Sequence, residues 1–135
     1  MPNFKTGERP TVFVVDDDSS ILRALGRLIR STGFEAKTFD RPGRLLSAEI
    51  PKSNACLLLD VYLPGMNGVE LYEALAASGR GLPVIMITGR DDPQTRDLVQ
   101  RVHAVAVLLK PFDEDVLLDA ISRALARSLK VDVLH

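Results

Sequence analysis

The sequence feature that most constrains this chain is residues 57–68, an apolar run that ends in a carboxylate and passes into turn formers. Three leucines precede Asp60, and one proline, two glycines and an asparagine follow within eight residues. A short, unbroken apolar run predicts a strand buried on both faces, as in a parallel α/β sheet. Ligands in such sheets bind beyond the carboxyl ends of the strands, which places Asp60 where chemistry is expected. From this stretch alone, a turn-capping role for Asp60 is an equal alternative.

Composition limits the classes of protein that fit. A chain of 135 residues predicts one domain. The formal net charge of -1 provides no overall field for nucleic acid or an anionic membrane. The single Cys56 cannot form an internal disulfide, which favours a packing role and a reducing compartment. With no apolar signal core and no apolar run long enough to span a bilayer, the sequence predicts a cytoplasmic protein without membrane contact.

Apolar runs alternate with helical patterns along the whole chain. The predicted strands are 11–15, 34–39, the run ending at Asp60, 83–87 and 105–109, and the predicted helices begin near residues 19, 42, 68, 93 and 114. Five such alternations predict a doubly wound parallel sheet, and right-handed crossovers bring the carboxyl ends of its strands to one edge. The domain is expected over residues 11–129, between a leader at 1–10 and a tail at 130–135.

Capping residues mark the starts of several of these helices. Asp18 or Ser19 is expected to cap the first helix, and Asp40 the second, whose early Pro42 suits a first helical turn. Asp92 before Pro93 can start the fourth.

Charged and hydroxyl side chains follow four of the predicted strands. They are Asp16, Asp17, Asp60, Thr88 and Lys110. Carboxylates a few ångströms apart repel each other by about 4 kcal/mol per pair at an effective dielectric near 20. A hard divalent cation such as Mg²⁺ relieves that repulsion and accepts phosphate oxygens, and lysine and threonine also suit phosphate. The set therefore predicts a phosphoryl site.

One of the three carboxylates can react as a nucleophile and become an aspartyl phosphate. Asp60 stands alone on a central strand, which leaves the neighbours Asp16 and Asp17 to hold the metal. Asp60 is therefore the preferred nucleophile.

With these motifs in order, residues 11–128 resemble the receiver domain of two-component response regulators. The resemblance implies a flavodoxin-like sheet of order 2-1-3-4-5. It also implies that Asp16, Asp17, Asp60 and the backbone carbonyl of Tyr62 bind Mg²⁺. Thr88 would then be the switch hydroxyl, and Lys110, before Pro111, the phosphate-binding lysine.

By the same resemblance, a histidine kinase or phosphotransfer protein donates a phosphoryl group to Asp60, and the domain later hydrolyses it. Phosphorylation would switch partner binding or homodimerisation through residues 93–129. Val107 occupies a position where the family commonly has Tyr or Phe. The aromatic ring that usually turns inward when the switch hydroxyl moves is therefore absent. Tyr62 and Arg90 would border the path of attacking water and tune the phosphoryl lifetime. No helix-turn-helix DNA binding is expected within residues 1–135.

Three other functions share parts of this pattern. A phosphatase of the haloacid dehalogenase type needs a second acid two residues after its nucleophile, where this chain has Tyr62. A flavodoxin-like flavin binder would cradle phosphate in the first loop, where Asp16, Asp17 and Asp18 would repel it. A receiver-like binding module that is never phosphorylated stays open because of Val107.

Overall fold

A five-stranded parallel sheet organises the chain, and the computed structural model describes residues 9–133 of it, with side chains through Ser128. The strands are β1 (Thr11–Val15), β2 (Glu35–Phe39), β3 (Ala55–Asp60), β4 (Val84–Thr88) and β5 (Ala106–Leu109). The helices are α1 (Ser19–Ser31), α2 (Pro42–Leu46), α3 (Gly68–Ala77), α4 (Pro93–Val99) and α5 (Glu114–Val133). The strand order is β2-β1-β3-β4-β5, and every pairing is parallel. The predicted fold is confirmed.

The central strand β3 is buried over its whole length, which explains its unbroken apolar sequence. Successive side chains of a strand point to opposite faces. Cys56 and Leu58 pack in the core layer that includes α1 and α5, whereas Leu57 and Leu59 pack in the layer that includes α3. Burial raises the pKa of the Cys56 thiol to about 12, so this residue serves packing.

Helix starts follow the capping pattern with one exception. Asp18 caps α1, accepting from the amides of Ser20 and Ile21. At α2 the predicted cap was wrong: Arg41 occupies the cap position in an extended conformation and makes no side-chain cap bond. A residue before proline is forced towards extended geometry. Arg41 therefore takes the cap position, one residue after Asp40, and α2 begins at Pro42. The Asp40 carboxylate instead pairs with arginines 41 and 44.

The last helix is longer than expected. Its backbone continues to Val133, past the predicted end at residue 129, because residues 129–133 contain no glycine or proline to stop it. The limits of the domain, 11–129, stay a prediction. The proposed leader falls largely on residues 1–8, which lie outside the described residues, as do the last two residues of the tail. Between residues 9 and 133, no helix is both long enough and apolar enough to cross a membrane.

Gly68, the first residue of α3, lies against the carboxyl end of β3. Its amide donates to the carbonyl oxygen of Val61 at 2.8 Å. A Cβ atom added to Gly68 would lie 2.2 Å from the backbone carbonyl oxygen of Asp60. This helix start therefore packs closely on the carboxyl end of β3 through a glycine.

We expect Gly68→Ala to destabilise the fold by roughly 2–4 kcal/mol, because the backbone carrying Asp60 must move to relieve the overlap. The matched control is Gly43→Ala in α2, where an added Cβ meets nothing within 4 Å. That change should be neutral or stabilise by up to about 1 kcal/mol. Urea unfolding of both variants measures the difference, and equal midpoints would contradict the close packing at Gly68.

Candidate functional site

An acidic cluster lies at the carboxyl end of the sheet. Asp16 follows β1 and Asp60 ends β3, and these strands are neighbours, so the two side chains converge. With Asp17 they can each offer an oxygen such that the three oxygens lie within 4.8 Å of one another. Asp16 and Asp60 are buried, whereas Asp17 is exposed. The cluster therefore opens to solvent on the side of Asp17.

Lys110 joins this cluster from β5, two strands away from β3. Its ammonium nitrogen, Nζ, donates to Asp16 Oδ2 at 2.8 Å and to Asp60 Oδ2 at 3.2 Å. The Lys110 amide donates to the Thr88 carbonyl oxygen, which fixes the backbone beside β4. The peptide bond to Pro111 is cis. One ammonium group faces three carboxylates, so the cluster keeps a negative balance when all are ionised.

The pKa of Asp60 shows the electrostatic cost of this arrangement. The pKa is raised from 3.8 to about 6, because burial and, next, the charge of Asp16 raise it by more than Lys110 and the Tyr62 amide lower it. Burial also works against the charged form of Lys110, but its contacts with the two aspartates outweigh this effect and raise its pKa. The charged lysine thus compensates only part of the negative charge around Asp60.

The donor set fits a hard divalent cation. Carboxylate oxygens from three side chains, one of them open to solvent, are the ligands that Mg²⁺ takes in proteins, with waters completing its shell. Burial and the charge of Asp16 both disfavour the ionised form of Asp60, and Lys110 offsets only part of this effect. A divalent ion would supply further positive charge.

Thr88 ends β4 beside the cluster but is bonded elsewhere. Its hydroxyl accepts from the Arg90 amide at 3.0 Å and donates to the Arg90 carbonyl oxygen at 3.3 Å. The structure thus brings together four of the five predicted strand-end residues, and engages the hydroxyl of the fifth with the loop after β4.

Tyr62 and Arg90, two residues beyond Asp60 and Thr88, lie against each other. The Arg90 guanidinium carbon is 4.5 Å from the centroid of the Tyr62 ring. The Tyr62 amide donates a long hydrogen bond, 3.4 Å, to Asp60 Oδ1. The loop after Asp60 therefore contacts the loop after Thr88.

Two residues near this contact were not found by sequence reasoning as part of the site. Thr95, which is buried, exchanges a hydrogen bond with the Tyr62 hydroxyl at 2.5 Å. Asp92 accepts from the Thr95 amide and hydroxyl and from Arg90. The spacing of Asp92 and Thr95 matches a helix cap, but nothing in the sequence links Thr95 to Tyr62, which lies 33 residues earlier.

Val107 lies on the edge strand β5 and is exposed over 47% of its surface. Leu109 on the same strand and Val116 on α5 are exposed to a similar extent. The residue in the predicted output position is therefore part of an open apolar surface. Val107 also lines a pocket between α4 and β5, together with Val99 and Thr88.

Comparison with known proteins identifies the family. Residues 12–122 match the model of the response regulator receiver domain. Nodulation protein W of Bradyrhizobium diazoefficiens is 40% identical over 119 residues, which cover 88% of this chain and 52% of that protein. Transcriptional regulatory protein TdiR of Thauera aromatica is 36% identical over 122 residues, covering 90% and 54%. The chain spans about half the length of the curated relatives it matches.

Solved structures agree with this result. A structure of the response regulator StyR superposes with a TM-score of 0.84 at 42% identity, covering 93% of this chain and 64% of that one. A CheY-like receiver domain protein from Methanospirillum hungatei gives 0.80 at 27% identity, covering 90% and 98%. The family match covers most of the sequence and includes both the acidic cluster and Lys110. This chain belongs to the response regulator receiver domains of two-component systems.

Proposed function

We propose that this receiver domain is a phosphorylation-dependent switch in which Asp60 accepts a phosphoryl group in the presence of Mg²⁺. The observation that carries the proposal is the meeting of the buried Asp60 carboxylate with Asp16, Asp17 and Lys110 at one end of the sheet. Receiver domains of response regulators interact with histidine kinases, and we propose a histidine kinase or a phosphotransfer protein as the donor.

In the proposed step, a carboxylate oxygen of Asp60 attacks phosphorus and forms a new O–P bond. The bond from phosphorus to the donor atom breaks, and the donor keeps the electron pair. Lys110, already within hydrogen-bond distance of Asp60, would donate to a phosphoryl oxygen as charge develops there. A second donor would be the hydroxyl of Thr88. Hydrolysis of the resulting acyl phosphate by water would restore the carboxylate.

Asp16, Asp17, Asp60 and the backbone carbonyl of Tyr62 would hold the metal. When bound, Mg²⁺ would supply positive charge that neutralises the carboxylates and draws the phosphoryl oxygens into the site. Asp16 is prepared for this role because its Oδ1 accepts from the Asp18 amide at 2.9 Å, which fixes the orientation of its carboxylate.

For output, we propose the face formed by α4, β5 and α5, within residues 93–129. Val107, Leu109 and Val116 give it exposed apolar surface, and the loop holding Thr88 leads directly into α4. A phosphorylation-dependent homodimer through this face, a cytoplasmic location and the absence of direct nucleic-acid binding by this chain stay predictions. The alternative function is a binding module that works without phosphorylation.

The central prediction concerns the mass of the chain after reaction with a small phosphodonor and Mg²⁺. The wild-type protein should gain one phosphoryl group, and Asp60→Asn should gain none, because an amide cannot act as the carboxylate nucleophile. Asp119→Asn, an exposed change on α5, is the matched control and should react like the wild type. Intact-mass spectrometry measures each outcome.

No mass gain by folded wild-type protein would favour the phosphorylation-independent module instead. Gain by Asp60→Asn equal to that of the wild type would place the modification on another residue.

The raised pKa of Asp60 predicts a pH-dependent stability. A folded-state value of about 6, against an ordinary 3.8, means that the folded chain holds this proton more tightly. Without metal, the wild type should lose stability as the pH rises from about 4 through 6. Asp60→Asn avoids this loss and should be more stable at pH 7.5 by roughly 1–2 kcal/mol, a figure that allows for solvent screening.

Urea unfolding in the presence of a chelator, at pH 4.5 and at pH 7.5, measures the difference in the free energy of unfolding between Asp60→Asn and the wild type. That difference should be smaller at pH 4.5. Added Mg²⁺ should then stabilise the wild type more than Asp60→Asn, because the variant lacks one ligand. A variant no more stable than the wild type at pH 7.5 would argue against a strained carboxylate at position 60.

We also propose that Tyr62 and Arg90 tune the lifetime of the phosphoryl group. The Arg90 guanidinium covers the Tyr62 ring beside the loop that follows Asp60, and would narrow the approach of water. Arg90→Ala and Tyr62→Asn should therefore speed hydrolysis by up to about tenfold, or about 1.4 kcal/mol of barrier. Arg123→Ala on α5 is the control, and the decay of the phosphorylated mass after removal of the donor is the measurement. Unchanged decay rates in both variants would show that neither residue affects the hydrolysis of the phosphoryl group.

A further inference from the structure

Thr95 is a buried threonine whose hydroxyl bridges two loops. It donates to Asp92 Oδ1 at 2.6 Å and also bonds to the Tyr62 hydroxyl. A threonine hydroxyl carries one proton, and Asp92 receives it. Tyr62 must therefore be the donor in the second bond, which gives a directed chain from Tyr62 through Thr95 to the Asp92 carboxylate.

The other oxygen of Asp92 closes this chain into a ring. Asp92 Oδ2 accepts from Arg90 Nε at 2.9 Å and from Nη2 at 2.6 Å. The guanidinium of Arg90 in turn lies over the Tyr62 ring. Hydrogen bonds, led by those from Thr95, lower the pKa of Asp92 to about 2, so the carboxylate is ionised at neutral pH. We name these four residues, Tyr62, Arg90, Asp92 and Thr95, the loop ring.

The loop ring fixes Arg90, whose backbone is hydrogen-bonded to the Thr88 hydroxyl. That hydroxyl donates its single proton to the Arg90 carbonyl oxygen and accepts from the Arg90 amide. To donate to a phosphoryl oxygen on Asp60, Thr88 must give up the bond to the Arg90 carbonyl. A fixed Arg90 backbone therefore competes with the phosphoryl group for the same proton.

We propose that the loop ring is a latch that favours the unphosphorylated arrangement of the loop between β4 and α4. The inference rests on the proposed phosphorylation of Asp60. Tyr62 and Thr95 act as positioning residues: their hydroxyls fix Asp92, Asp92 fixes Arg90, and Arg90 retains the Thr88 hydroxyl. A phosphoryl group on Asp60 can bind the Thr88 hydroxyl only if these contacts break. Removing one of them should therefore increase the population of the phosphorylated arrangement of the loop.

A simpler role is cap stabilisation alone. Asp92 caps α4 through the Thr95 amide whether or not Tyr62 takes part. If the loop ring only stabilised α4, its loss would lower thermal stability equally in the resting and occupied states. The affinity for a phosphoryl analogue would then stay constant, which separates the two roles.

The test is the apparent Kd of beryllofluoride in saturating Mg²⁺, measured by calorimetry on the full chain. Tyr62→Phe keeps the aromatic ring beneath Arg90 and removes only the hydroxyl, and Thr95→Val removes the bridging hydroxyl. Each should bind roughly two- to tenfold tighter than the wild type, the equivalent of one hydrogen bond. Thr95→Ser retains the hydroxyl and should restore wild-type affinity. Because the bond that Tyr62→Phe removes is also lost in Thr95→Val, the double variant should bind no tighter than Thr95→Val.

The outcomes separate this inference from the proposed function. Wild-type protein that binds no beryllofluoride would overturn both. Wild-type binding with unchanged or weaker affinity in Tyr62→Phe and Thr95→Val would overturn the latch alone. If Thr95→Val does not fold, Tyr62→Phe still decides, because its ring remains in place.

Discussion

The fold brings carboxylate groups together at one edge of the sheet and does not fully neutralise the repulsion between them. The parallel sheet brings Asp16 and Asp60 together under burial, and Lys110 contributes one positive charge to a cluster of three carboxylates. In water such groups would separate, but β1 and β3 are paired along five residues and hold them. The large buried core therefore sustains an electrostatic cost at one edge of the sheet. A cation bound at this edge would lower that cost.

The fold was predictable because each element carried its own physical signal. The buried strands needed unbroken apolar sequence, α1 presented an apolar stripe and a capping aspartate, and the turns used glycine, proline and asparagine. Parallel topology then fixed the common edge, so Asp60 and Lys110 could be expected to meet although 50 residues separate them. The errors arose where two local signals compete, as at Asp40 and Pro42, or where nothing in the sequence marks an end, as in α5.

The site was predictable only up to the residues that strand ends place directly. Hydrogen bonds between loops follow no periodicity, and Thr95 is an ordinary helix residue until its hydroxyl is seen beside that of Tyr62. The same limit holds for the Thr88 hydroxyl. Sequence placed it at a strand end, but its bonds to Arg90 depend on the path of a loop that no local preference determines. The groups proposed to react were therefore easier to find than the groups proposed to govern that reaction.

This division has a physical basis. Reacting groups must be held by rigid elements, and rigid elements have strong sequence patterns. A switch needs a segment with two arrangements of similar free energy, and such a segment cannot be over-determined by burial. The loop from Gly89 to Asp92 meets that condition: its side chains are largely exposed, and its ion pairs, Arg90 with Asp92 and Asp91 with Arg96, lie at the surface. Two buried threonines tie the loop to the core: Thr88 bonds the backbone of Arg90, and Thr95 bonds the carboxylate of Asp92. Two buried hydroxyls can thus set the balance of a loop whose other contacts lie largely at the surface.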